Sequence, residues 1–336
     1  MSGHRIPAWR VTLDGRDLTA RLAPRLLELT LSEQRAGEAD QLDLRIHDHD
    51  GRLALPSRGA ELSVALGWQG GGLVDKGRYR VDEVEHAGPP DIVTVRARSA
   101  DLTAALRARR DRSWHDTTLG EVLRSIAGEH GLSPRIAPAL DALPLPHLDQ
   151  SGESDAALLT RLGKQHDAVA TIKAGRLLFL PTGKGETASG EPLPAAQVRR
   201  RDGDGHRYHV ADREAYSGVR AYWHDVEGAD RRSVLVGKSG NAKRLRDSFA
   251  SEQAAREAAE AEWARIQRGL ATLSLTLAWG RPDLYPEQPC RVSGFKPEID
   301  DTDWLIVKVT HSVGSSGFVT SLELETRADA AGAGGE

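Results

Sequence analysis

Apolar and polar residues alternate along Leu27-Glu28-Leu29-Thr30-Leu31, Leu42-Asp43-Leu44-Arg45-Ile46 and Leu62-Ser63-Val64-Ala65-Leu66-Gly67. A period of two sends every second side chain to one face, so each stretch predicts a strand with one dry side. Residues 79–86 and 91–97 supply two further strands, and the turns His49-Asp50-Gly51 and Gly70-Gly71-Gly72 punctuate the series. Short strands at this spacing predict a sandwich or barrel over residues 6–104. Over 105–214 the period lengthens. Thr118 and Glu121 have the spacing of a capping box, and Leu119, Val122, Leu123, Ile126 and Ala127 then follow at helical intervals until Gly131. Ser154 predicts the cap of a second helix carrying Leu158, Leu159 and Leu162, followed by a hairpin of 169–173 and 176–180. This reads as a small α/β insert, and the Gly, Thr, Ser and Pro of 181–194 read as an exposed loop or linker. Residues 215–326 return to strands, including Val219-Arg220-Ala221-Tyr222-Trp223, Ser233-Val234-Leu235-Val236 and Leu273-Ser274-Leu275-Thr276-Leu277. One Ala-rich helix, 251–268, interrupts them, and 327–336 predict a disordered tail.

Two stretches of this pattern match each other. Tyr79-Arg80-Val81-Asp82-Glu83-Val84-Glu85-His86 lies over Trp304-Leu305-Ile306-Val307-Lys308-Val309-Thr310-His311 without a gap. Aromatic meets aromatic, Val81 meets Ile306, Val84 meets Val309 and His86 meets His311. Each octapeptide is followed by a second apolar run after a short polar or Gly-containing connection, and so predicts a hairpin. A turn-rich segment and a strand precede each, at 56–67 and at 286–294. The order of elements therefore predicts an internal duplication, one β-unit near each end of the chain.

The 336 residues suffice for two or three domains; 39% are hydrophobic and 28% charged, the balance of a globular protein. A formal net charge of -4 gives no electrostatic basis for tight nucleic-acid binding. Cys290 is the single cysteine, which excludes an internal disulfide, and in a strand it reads as a small buried apolar group rather than a nucleophile. No signal-peptide core and no membrane-length apolar run is found. Gly237-Lys238-Ser239 lacks the glycine that a phosphate loop needs, because Arg232 stands there. His47-Asp48-His49-Asp50 is the densest set of metal-ligand types, yet strand neighbours point to opposite faces, so a solvated strand end is the better reading. His86 and His311, being matched, are expected to be structural. No catalytic, cofactor-binding or metal-ligating set is assigned; the positions singled out are the repeat residues Tyr79, Val81, Val84, His86, Trp304, Ile306, Val309 and His311.

The chain resembles the phage late control gene D family, tail hub proteins of contractile-tailed phages, and more distantly the hubs of the T4 baseplate and of type VI secretion spikes. The resemblance is carried by residues 77–84, by Ser154-Asp155-Ala156-Ala157-Leu158-Leu159-Thr160-Arg161-Leu162, by Lys173-Ala174-Gly175-Arg176-Leu177, by Pro282-Asp283-Leu284-Tyr285-Pro286 and by 304–311 and 317–325, and it covers about 10–326. It implies an α+β, mainly β fold: two tail-tube-like antiparallel β-barrels, 6–104 and 215–326, with the α/β insert of 105–214 between them. It also implies a homotrimer without enzymatic activity or cofactor, joining a hexameric tail tube to a separate trimeric spike protein. Other baseplate proteins would be partners, DNA would only pass through the channel, and the protein would fold in the bacterial cytoplasm before residing in the tail. A hub of a type VI-like injection machine is the alternative, and a tail-tip peptidoglycan hydrolase is a third, for which no acid and nucleophile pair is evident.

Overall fold

The computed structural model describes residues 5–35, 39–99, 105–173, 175–210, 216–225 and 230–327. The expected disordered tail lies, beyond residue 327, outside the described residues. The first strands are β1 (Pro7–Leu13), β2 (Arg16–Asp17), β3 (Leu26–Gln34), β4 (Gln41–His47), β5 (Glu61–Trp68), β6 (Leu73–Ala87) and β7 (Ile92–Ser99), with the short helix α1 (Thr19–Leu22) before β3. Next come β8 (Arg109–Thr118), α2 (Leu119–Glu129), β9 (Ser133–Ile136), α3 (Pro138–Asp141), β10 (Pro144–Ser154), α4 (Asp155–Gln165), β11 (Ala168–Lys173) and β12 (Arg176–Pro181). Then follow β13 (Ala196–Arg199), β14 (Gly203–Val210), β15 (Gly218–Asp225), β16 (Asp230–Gly237), β17 (Ala242–Phe249) and α5 (Glu252–Arg268). The chain closes with β18 (Ala271–Leu277), β19 (Pro289–Ser293), α6 (Pro297–Asp300), β20 (Trp304–Gly314) and β21 (Gly317–Thr326). The fold is mainly β, as the alternation predicts.

One large sheet runs in the order β14-β18-β21-β20-β3-β4-β7-β6-β5-β1-β2, with β19 and β13 attached beside β20. Both ends of the chain meet in it, because β20 pairs antiparallel with β3 from Lys308 opposite Gln34 to Gly314 opposite Glu28. Two apolar cores lie on it. Leu29, Leu31, Leu42, Leu44, Leu62, Tyr79, Val81 and Val95 fill the first, together with Val313 and Phe318 from the far hairpin. Leu273, Leu275, Cys290, Trp304, Ile306, Val309 and Leu322 fill the second. Leu27 departs from its expected inward phase. A bulge between Leu26 and Glu28 inserts a residue and shifts the alternation, so Leu27 is 38% exposed while Leu26 packs on the core.

Five strands of each half correspond in order: β3-β4-β7-β6-β5 and β14-β18-β21-β20-β19. Their registers correspond as well. Leu29 faces Leu44 as His206 faces Leu275, and Leu44 faces Val95 as Leu275 faces Leu322. Val84 faces Val95 as Val309 faces Leu322, and Leu62 faces Tyr79 as Cys290 faces Trp304. Bulges fall at matching places, between Val81 and Glu83 and between Ile306 and Lys308. A second matched pair lies between Leu26 and Glu28 and between Gly203 and Gly205. Gly59 N donates to Val81 O as Glu287 N donates to Ile306 O, and both donors hold positive φ, 90° and 70°. The halves differ outside these strands: β1 lies antiparallel on β5, whereas β13 lies parallel on β19.

Two smaller units stand apart from the large sheet. Residues around α2 and α4 bury Leu119, Val122, Leu123, Ile126, Leu158, Leu162, Leu177 and Phe179 as their own core. The expected caps form: Thr118 and Glu121 close a capping box, and the Ser154 hydroxyl accepts from Ala157 N. The expected boundaries shift, however. β13 and β14, assigned to the insert by sequence, belong to the large sheet, while β15, β16, β17 and α5, assigned to the second β-unit, form a separate three-stranded sheet with a helix laid on it. Ala255 and Ala259 let α5 approach Val219, Ala221 and Val234 closely, so this block satisfies its apolar surface by itself.

Candidate functional site

The chemistry of the chain gathers where the two halves of the large sheet join. Glu33 follows Leu29 and Leu31 in the inward phase of β3, and a carboxylate in that phase must find a buried partner. Lys76 of β6 supplies it, with Nζ 2.7 Å from Glu33 Oε2 and a second bond of 3.2 Å to Leu284 O. His311 Nε2 lies 3.5 Å from the same carboxylate oxygen. Thr320 Oγ1 accepts from Arg281 N and lies 2.9 Å from His311 Nδ1, while His311 Nε2 faces Glu33. Burial lowers the His311 pKa and keeps that ring uncharged. Burial alone would raise the Glu33 pKa, but hydrogen bonding from His311 and the charge of Lys76 outweigh it and hold the carboxyl at about 2.

A second polar node ties the joint to the unit around α2 and α4. Arg268, at the end of α5 and 3% exposed, grips Asp167 with both terminal guanidinium nitrogens, and its Nε lies 3.3 Å from Glu325 of β21. Arg35, just past β3, reaches Glu325 at 2.5 Å and contacts Glu287. Glu287 also accepts from Gly183 N at 2.9 Å, and burial raises its pKa. The 181–194 segment, expected to be exposed, is therefore partly tucked in: Gly185 is buried against Pro289, with φ +63° and no room for a Cβ. Beside the joint, Trp68 Nε1 donates to Gly280 O at 2.9 Å, and the Trp68 ring tilts against Phe318 and Trp279. These groups couple segments far apart in sequence, and each is held by ion pairs or packing rather than aimed into an open cleft.

The repeat positions fall on matching strands in unlike surroundings. Tyr79, Val81, Trp304, Ile306 and Val309 are buried and Val84 is half-buried. His311 is fully buried because β3 runs along β20 beside it, whereas the His86 side chain is 43% exposed, 3.6 Å from Asp48. His47 and His49 do share a face, with rings stacked 5.3 Å apart. Arg25 engages both acids of this run, Asp48 and Asp50, and among the described residues no cluster of potential ligands could hold a metal ion. Cys290 is buried, and desolvation pushes its thiol up to about 12, where it is no nucleophile at neutral pH. The Glu33–Lys76 pair escaped the sequence reading; a charged residue in an apolar phase was its only signal.

The chain belongs to the family of phage tail baseplate hub proteins (GPD), which matches residues 39–317. It is 44% identical to the probable baseplate hub protein of Escherichia phage 186, over 96% of this chain and 93% of that one. Among solved structures, the 43 kDa tail protein of prophage MuSo2 from Shewanella oneidensis aligns with a TM-score of 0.70 at 15% identity, covering 96% of this chain and 99% of the other. An Escherichia coli component of the type VI secretion system, described as structurally similar to the T4 tail proteins gp27 and gp5, aligns at 0.56 and 14% identity over 90% of this chain and 73% of that one. Among the described residues, no helix is long and apolar enough to cross a membrane.

Proposed function

We propose that three copies of this chain close into a ring around the tail axis and join a sixfold tail tube to a threefold central spike. The matched registers of β3-β4-β7-β6-β5 and β14-β18-β21-β20-β19 carry this reading. They support two related β-units per chain, descended from one duplicated unit and resembling tail-tube barrels, with the α/β block of α2 and α4 as an insert. Two like units in each of three chains offer six similar surfaces to the tube while the assembly keeps threefold symmetry toward the spike. Such a ring needs head-to-tail contacts that close on themselves. Each should bury more than about 1,000 Å² to hold as a specific interface. A net charge of -4 suits a channel through which DNA slides without being held. The work is mechanical alignment, with no reaction, in a virion tail assembled in the bacterial cytoplasm.

The test is native mass spectrometry of the purified chain, alone and mixed with a spike protein of the same tail, followed by electron microscopy of the complex. A three-chain mass with six similar lobes in projection is expected. A dimer, a tetramer or three lobes without an inner six would refute the ring. Digestion of purified peptidoglycan by the chain would overturn the structural role.

A further inference from the structure

We infer that neighbouring chains join by strand pairing, with residues 84–87 of β6 laid antiparallel on residues 207–210 of β14 of the next copy. Val84 then faces Val210, Glu85 faces His209, His86 faces Tyr208 and Ala87 faces Arg207. This rests on the ring reading above and names the surface that builds it.

The template lies inside the chain. β20 is paired by β19 only at its start, through Pro289 and Cys290, and its remaining length is paired by β3. By the matched registers, β6 is the counterpart of β20 and β14 the counterpart of β3. Transferring the β3–β20 register to those counterparts yields the opposed residues named above, without further choice. Both edges it requires are open. Among the described residues, after Val81, whose backbone bonds to Gly59 and Ala60, residues 83–87 of β6 pair with β7 alone, and β14 pairs with β18 alone. Open edges of this kind invite pairing with another chain.

The side chains fit the transfer. Val84 and Tyr208 pack against the first and second cores respectively, so both strands present the same alternation of faces. Val210 is 57% exposed and would be covered by Val84. Tyr208 would do for exposed His86 what Leu31, opposite His311, does for its buried counterpart. On the other face, Thr310 meets Ser32 inside the chain with their hydroxyls 3.3 Å apart; between chains Glu85 would meet His209, with Arg207 two residues on. Glu85 thus lies within reach of the Arg207 guanidinium. Pro89 and Pro90 lack N–H groups and would end the ladder just past Ala87.

Directly opposed residues of an antiparallel pair have Cα atoms about 4.5–5.5 Å apart, within the range a disulfide spans. The full chain carrying Glu85→Cys and His209→Cys, both at exposed positions, is oxidised at neutral pH; native Cys290 is buried and stays out of the reaction. We expect a covalently closed trimer, and only dimers when the two single variants are mixed. Glu85→Cys with Arg207→Cys, two residues out of register, should stay uncrosslinked. Equal crosslinking of the shifted pair, or none in the first pair, overturns the proposal. A three-chain mass without this crosslink refutes the pairing and leaves the ring standing, whereas a ladder running past three chains keeps the pairing and refutes the ring. Should cysteine at these sites impair folding, Glu85→Lys supplies the second arm: it should shift the chain to lower mass, with His209→Glu in the same chain restoring the trimer. An unchanged mass for Glu85→Lys would count against the contact.

Discussion

Replacing Glu33 by Gln removes a charge from the seam between the halves while keeping the side chain's shape. Glu33 and Lys76 are 7% and 9% exposed, so little solvent screens their interaction. The carboxyl falls from its ordinary 4.5 to about 2 on folding. At about 1.4 kcal/mol for each pH unit, this amounts to roughly 3 kcal/mol of stability from ionised Glu33. The contribution is fully present above about pH 4.5, where the unfolded carboxyl is also ionised. It is lost as pH falls toward 2, where the folded carboxyl protonates. Glu33→Gln should therefore lower the free energy of unfolding by roughly 3 kcal/mol at pH 7, measured by urea denaturation. The gap between variant and parent should narrow through pH 4.5 to 2. A variant within about 0.5 kcal/mol of the parent at pH 7, the ordinary effect of a surface change, would refute the account of the joint. So would a gap independent of pH.

Arg268→Met leaves Asp167 without its cation in a mostly buried setting, while Arg35 still holds Glu325, and should cost about 3–5 kcal/mol. Adding Asp167→Asn should recover part of that loss in guanidinium melts. A Cβ at Gly280 would sit 2.3 Å from the Phe318 ring, so Gly280→Ala should cost about 1–3 kcal/mol and lower the melting temperature; an unchanged temperature would show that the Trp68–Phe318 packing yields freely. Cys290 should resist alkylation by iodoacetamide at pH 8 in the native protein and react stoichiometrically in guanidinium, with rapid native labelling contradicting its burial.

Local features were legible because they depend on neighbours in sequence. The caps at Thr118 and Ser154 need residues three positions away, and the strand at 273–277 shows its dry face by alternation alone. The likeness between the octapeptides at 79–86 and 304–311 could be read for the same reason. The bulge after Leu26 was not legible, because an inserted residue is registered only against the partner strand. Nor was the separate packing of β15, β16 and β17 with α5. Their periodicity matches that of any strand, and only the fit of Ala255 and Ala259 against Val219 shows which sheet they join.

By itself, then, the amino-acid order determined which segments are strands and helices, which faces are dry and which two hairpins match in sequence. The tertiary structure alone decided what lies beside each strand: that β3 flanks β20, burying His311, while the matching edge of β6 stays open and leaves His86 in solvent. Alternation reports the two faces of a strand, but its edges carry backbone groups common to every residue, so their partners emerge only when distant segments meet.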